Sequence, residues 1–184
     1  YNTTFEALRE RFGKKVAPVV VPIWDENKRV TGLIDVLNKR AYEMQNGKRV
    51  EIEIPEGKDA VIEEFNNALK ESVAETSEEF MDKFFSGEDF TYAEMIQGLR
   101  QGVRELSLFP VLCGSAVNCM GSLMLLDDIV DLLPNPMEGN YHKATRQDGE
   151  TEPFVVSPGG VPTAFVFKTV SDQYGKYSFV TVSY

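Results

Sequence analysis

The chain has 184 residues, enough for one large domain or one and a half small ones. With 42% hydrophobic residues and twelve Phe it can build a packed core, which excludes a disordered tail. The net charge is −10, with two cysteines (Cys113, Cys119) and one histidine (His142), which excludes a disulfide framework and any zinc spacing and implies a reducing, cytoplasmic setting. No apolar run approaches the roughly 20 residues that span a bilayer, so no membrane partner is expected. The chain opens on Tyr1 rather than Met, and the expectation is that it is a piece of a longer protein.

In chain order, Thr3 to Phe12 predicts a short helix stopped by Gly13. Val16 to Ile23 is a β-branched run that predicts a buried strand. Two extended stretches follow between Arg29 and Met44. Gln45-Asn46-Gly47 then turns into the alternating run Arg49 to Ile54, a hairpin signal. From about Asp59 to Phe85 the period is helical throughout, with Ile62, Phe65, Leu69, Val73, Thr76, Phe80 and Phe84 on one stripe. One long helix is expected there. Thr91-Tyr92-Ala93-Glu94 is a capping box that starts another helix, running to about Glu105.

Leu108 to Cys113 predicts an apolar strand, within which Cys113 reads as a buried thiol. Gly114-Ser115-Ala116 closes it, and Gly121 to Leu133 predicts a helix stopped by Pro134-Asn135-Pro136. Residues 137–152 are polar and read as a linker, with His142 as inert surface. Pro162 to Val170 and Lys176 to Tyr184 predict two strands. The expected fold is an α/β core with an α+β insert, followed by the first strands of a β domain. The boundaries are 1–24 and 108–136 for the core, 25–107 for the insert, 137–160 for the linker and 161–184 for the β domain.

Charge is concentrated in the insert. Residues 51–94 hold fourteen Asp and Glu against Lys58, Lys70 and Lys83, a local charge of −11. That disfavours direct nucleic-acid binding by this surface and suits a basic protein partner, or plain solubility. On the single helix expected here, Glu64, Glu71, Glu75, Glu78 and Asp82 project in one arc. Their like-charge i,i+4 pairs cost about 0.2–0.5 kcal/mol each, and Lys70 and Lys83 point elsewhere. Either a basic partner relieves the arc or it is a solvated face.

Phosphate-binding chemistry is missing from the sequence: no G-x-x-x-x-G-K-[ST] loop occurs. Asp172-Gln173-Tyr174-Gly175 has the spacing of a magnesium loop but lies between two strands, where a hairpin turn is expected. Asn38-Lys39-Arg40-Ala41 begins like a guanine-reading N-K-x-D but ends in Ala. One histidine leaves little scope for a Ser-His or Cys-His dyad. Asp127, Asp128 and Asp131 read as a polar helix face.

Several phrases nevertheless share an order. Val111-Leu112-Cys113-Gly114-Ser115-Ala116, a Gly-led helix and Asp131-Leu132-Leu133-Pro134-Asn135-Pro136 resemble the closing strand, helix and D-Y-L-P-S-P phrase of elongation factor G. Upstream, Ala17 to Ile23 and Thr31 to Asp35 resemble the strands leading into that family's insert, and Glu71 to Phe84 its insert helix. Downstream, Phe165 to Tyr184 resembles the opening of its second, β-barrel domain.

The resemblance implies the tail of a P-loop GTPase domain whose phosphate loop, magnesium motifs and N-K-x-D all lie before Tyr1. It implies GTP/GDP and Mg in the parent protein, and none expected in this fragment, which should neither bind nor hydrolyse GTP. Gly114, Ser115 and Ala116 match the guanine-binding motif, where a backbone N–H meets the base; a tight strand-to-helix turn would want the same small residues. The resemblance also implies the ribosome as partner, with the large-subunit stalk protein on the acidic helix. Unpaired barrel strands imply self-association. Val117-Asn118-Cys119-Met120 departs from a stretch that usually holds Lys, and the Trp usual near Tyr42 to Met44 is missing. These departures point to a diverged paralogue. Alternatives are a ribosome-protection or release-factor GTPase, and a non-enzymatic acidic interaction module.

Overall fold

A computed structural model describes residues 1–138, 143–145, 148–153, 156–160 and 162–183. They fall into two compact units, Tyr1–Leu133 and Pro134–Tyr184. The first runs α1 (Asn2–Phe12), β1 (Val16–Trp24), β2 (Val30–Asp35), β3 (Arg40–Gln45), β4 (Lys48–Ile52), α2 (Asp59–Ala74), α3 (Glu78–Ser86), α4 (Tyr92–Arg104), β5 (Phe109–Leu112) and α5 (Ser122–Leu132). Its sheet has the order β4-β3-β2-β1-β5.

β1 belongs to two pairing patterns at once. Its first half runs parallel to β5, from Val16↔Phe109 to Val20↔Leu112, and its second half antiparallel to β2, from Val20↔Asp35 to Trp24↔Val30. Every residue from Val16 to Ile23 is buried, which is why this run lacks the alternation of a one-sided strand. β4 alternates, and the turn between β3 and β4 places Asn46 at φ 51° and Gly47 at φ 76°. That left-handed pair is what an Asn-Gly hairpin turn needs.

α2 packs on β1 through Ile62, Leu69 and Val73. Two buried polar side chains fix its position: Asn66 Nδ2 donates to Val36 O at 3.1 Å, and the Ser72 hydroxyl lies 2.6 Å from Lys14 O. The single helix expected from Asp59 to Phe85 is two. Ser77 adopts extended backbone and its hydroxyl accepts the Phe80 N–H, so it caps a new helix with Glu78 and Glu79 in the first turn. The apolar stripe continues across the break, Val73 and Phe80 both being buried, so periodicity alone hides it. The capping box of α4 forms as read, with Thr91 and Glu94 each satisfying the other's backbone N–H.

In the second unit, β6 (Lys143–Thr145) and β7 (Thr151–Pro153) make a two-stranded antiparallel ribbon within the stretch read as a linker. β8 (Thr163–Asp172) and β9 (Gly175–Ser183) form a hairpin whose side chains, Phe165, Phe167 and Phe179 among them, are exposed. His142 lies outside the described residues. No helix among the described residues is long and apolar enough to cross a membrane.

Candidate functional site

The turn after β5 is held from both sides. Cys113 N–H donates to Val20 O at 3.0 Å and so carries the β1–β5 pairing one residue past the strand. Cys113 itself is half-buried rather than buried, and partial burial pushes its thiol up. Ser115 and Met120 then exchange both backbone hydrogen bonds, at 2.9 and 3.1 Å, and Cys119 N–H reaches Ala116 O at 3.3 Å. Val117 stands 94% exposed at the tip.

Small residues are required here on steric grounds. A Cβ on Gly114 would stand 3.0 Å from Met120 O. Gly121 has φ +83°, and a Cβ there would stand 2.8 Å from Leu33 Cδ1 and 3.0 Å from Cys113 O. The Ser115 N–H is committed to Met120. The Ala116 N–H, on an exposed residue, meets no acceptor among the described residues, and neither do the N–H groups of Val117 and Asn118 beside it.

The five acidic residues expected in one arc are divided between two places. Glu64 and Glu71 line a cleft of about 570 Å³ between α1 and α2, with Phe5, Phe65 and Phe84. Glu75, Glu78 and Asp82 line a separate groove at the α2–α3 break, with Ser77 and Met81. The cause is the cap at Ser77, which interrupts the 100° progression. Glu71 is also not uncompensated. It pairs with Lys14 at 2.8 Å and Arg9 at 3.3 Å, and the Lys14 hydrogen bond holds its carboxyl below the usual range. Lys70 and Lys83 do point elsewhere, to Asp89 at 2.6 Å and Glu94 at 2.7 Å. Lys83 and Thr91 together hold Glu94 at about 2.

The carboxylates read as a polar helix face gather around α5 with one that the sequence did not single out, Asp35. Asp35, Asp127, Asp128 and Asp131 line a pocket of about 280 Å³ with Tyr92 and Arg49. Burial, then the charges of Asp35, Asp131 and Asp127, push the Asp128 carboxyl up to about 7. Arg49 forms an ion pair with Asp127, and Arg100 donates to the carbonyls of Val130 at 3.4 Å and Asp131 at 2.9 Å. The three α5 carboxylates are visible in sequence as a polar face; Asp35 joins them only through sheet topology.

Both decoy motifs are turns. Asp172 pairs with Gly175, and its carboxylate accepts the N–H groups of Tyr174 and Gly175, closing the β8–β9 hairpin. Asn38 and Lys39 form the β2–β3 turn, with Asn38 bonded to Asp35, and Ala41 is fully buried.

A five-stranded mixed sheet with a parallel β1–β5 pair, a small-residue turn leading from β5 into α5, and a following β unit define a mixed α/β fold. No protein-family model matches the chain. It is 34% identical over 191 residues to an elongation factor G-like protein of Thermotoga maritima, covering 99% of this chain and 26% of that protein. A solved structure from Thermus thermophilus matches with a TM-score of 0.76 at 29% identity, over 99% of this chain and 25% of its own. The chain therefore spans about a quarter of the length of these relatives, and along nearly its whole length it is similar to an elongation factor G-like protein.

Proposed function

We propose that this chain is the end of the GTPase domain, with its insert and the start of the barrel domain, of a ribosome-dependent translational GTPase acting in the cytoplasm. Similarity to an elongation factor G-like protein along 99% of the chain carries the reading. Within it, the Ala116 N–H contacts the guanine carbonyl while Gly114 and Ser115 keep the turn narrow. GTP or GDP and Mg bind in the longer protein, where the phosphate loop precedes Tyr1. Translocation is the activity that the family implies; switch sequences and later domains distinguish it from ribosome protection or release.

The test is calorimetric. In the longer protein, Ala116→Pro removes the N–H and should weaken GDP binding at least tenfold. In this chain alone, GDP should give no binding heat. Unchanged GDP affinity in the variant, or micromolar binding by the chain alone, would overturn the reading.

A second reading concerns the insert. Glu75, Glu78 and Asp82 share one groove and form no ion pair within 4 Å among the described residues, which supports docking of a basic protein surface such as the ribosomal stalk. Reversing all three charges should abolish ribosome binding at low salt. Retained binding would exclude it.

A further inference from the structure

We propose that the insert's sheet positions the turn 114–120, with Leu33 of β2 and Arg49 of β4 as its positioning residues. This rests on the reading of that turn as the base-side contact, and it makes the insert a lever on the turn as well as a docking surface.

The two arms of the turn have different anchors. The outgoing arm is tied to the core, because Cys113 N–H bonds to Val20 O on the central strand. The returning arm is seated on the insert. Met120, Gly121 and Met124 face Leu33, Tyr42 and Arg49 across a gap of about 10 Å³, no more than one water's worth.

There is no slack at the closest point. Leu33 is 1% exposed and its Cδ1 occupies the space a Gly121 Cβ would need. Farther along α5, Arg49 holds Asp127 in an ion pair while its guanidinium lies over the Tyr42 ring, 5.2 Å from the centroid. Arg49 thus fixes α5 to two insert strands. Between the anchors stand the two Ser115–Met120 hydrogen bonds. A shift of β2–β4 relative to β1 must shear that bridge, and the Ala116 N–H moves with it.

Amide hydrogen exchange of this chain, followed by NMR, tests the proposal. Ser115 and Met120 report the bridge; Cys113 reports the core anchor beside it. In Arg49→Ala the Ser115 and Met120 amides should exchange at least fivefold faster while Cys113 is unchanged, and Arg49→Lys should restore much of their protection. Leu33→Ala should show the same pattern more strongly, and Leu33→Met should recover it. Unchanged Ser115 and Met120, or equal acceleration at all three amides, would overturn the proposal. Exchange involves no nucleotide, so failure of the base-contact reading shows separately, as unchanged GDP affinity in Ala116→Pro.

Discussion

Lys14 Nζ stands 2.8 Å from Glu71 Oε1. Arg9 approaches the other carboxylate oxygen at 3.3 Å, so Glu71 joins α2 to α1 and to the turn that follows it. Glu75, Glu78 and Asp82, a few residues on, have no such partner among the described residues. The acidic block therefore contains an acid held in ion pairs and acids that form none among the described residues.

Neutralising substitutions should separate the two kinds. Glu71→Gln should lower unfolding free energy by about 0.5–1 kcal/mol, the range of partly exposed pairs. The pairing depresses the Glu71 carboxyl, so its contribution is present above the ordinary 4.5 and is lost as pH falls below it. Glu78→Gln and Asp82→Asn should change stability by less than about 0.5 kcal/mol. Urea titrations at pH 7 give both numbers; equal losses at all three positions would remove the distinction.

Gly98 lets α4 lie across the break between α2 and α3. A Cβ there would stand 2.5 Å from Val73 Cγ1 and 3.1 Å from Phe80 Cε2. Overpacking of this kind costs about 1–3 kcal/mol, against about 1 kcal/mol gained from Ala in a helix. Gly98→Ala should therefore lower the thermal midpoint despite its better helix propensity. Gly102→Ala should do the same, since its Cβ would meet Leu108 Cβ at 2.6 Å. A raised midpoint in either variant would show that α4 yields without cost.

Which features were legible follows from the range of the forces behind them. The Asn46-Gly47 turn, the Thr91 capping box and the buried run of β1 are local and sit where the sequence puts them. Ser77 is equally local, yet the unbroken stripe from Val73 to Phe80 outweighed its cap signal. The β6–β7 ribbon has three-residue strands, too short for alternation to register. At the candidate site, Gly114, Ser115 and Ala116 were found by motif. Leu33 and Arg49 were not, because their relation to the turn arises from β1 pairing with β5 and β2 at once.

The cap at Ser77 can be weighed directly. Its hydroxyl accepts the Phe80 N–H at 3.2 Å, and loss of such a cap costs about 1 kcal/mol. Ser77→Ala should show that loss, and Ser77→Asp should retain the cap. If Ser77→Ala is neutral by urea denaturation, α2 and α3 fuse at no cost and the break is not set by this side chain.

Asp128 gives the fold a pH dependence of unusual sign. Its carboxyl sits at about 7 instead of the ordinary 3.8, raised by burial and by Asp35, Asp131 and Asp127. The folded state binds this proton more tightly than the unfolded chain does. Its stabilising contribution is complete below 3.8 and is lost as pH rises through about 7. Glu71 and Glu94 have depressed carboxyls and titrate below the ordinary 4.5, outside the window from 5 to 8. Stability should therefore fall between pH 5 and pH 8 in the unsubstituted chain. In Asp128→Asn, which keeps the shape and removes the charge, that fall should flatten, and the variant should be the more stable of the two at pH 8. Urea midpoints at half-unit pH steps decide it: parallel profiles would mean that Asp128 ionises as freely in the fold as in the unfolded chain.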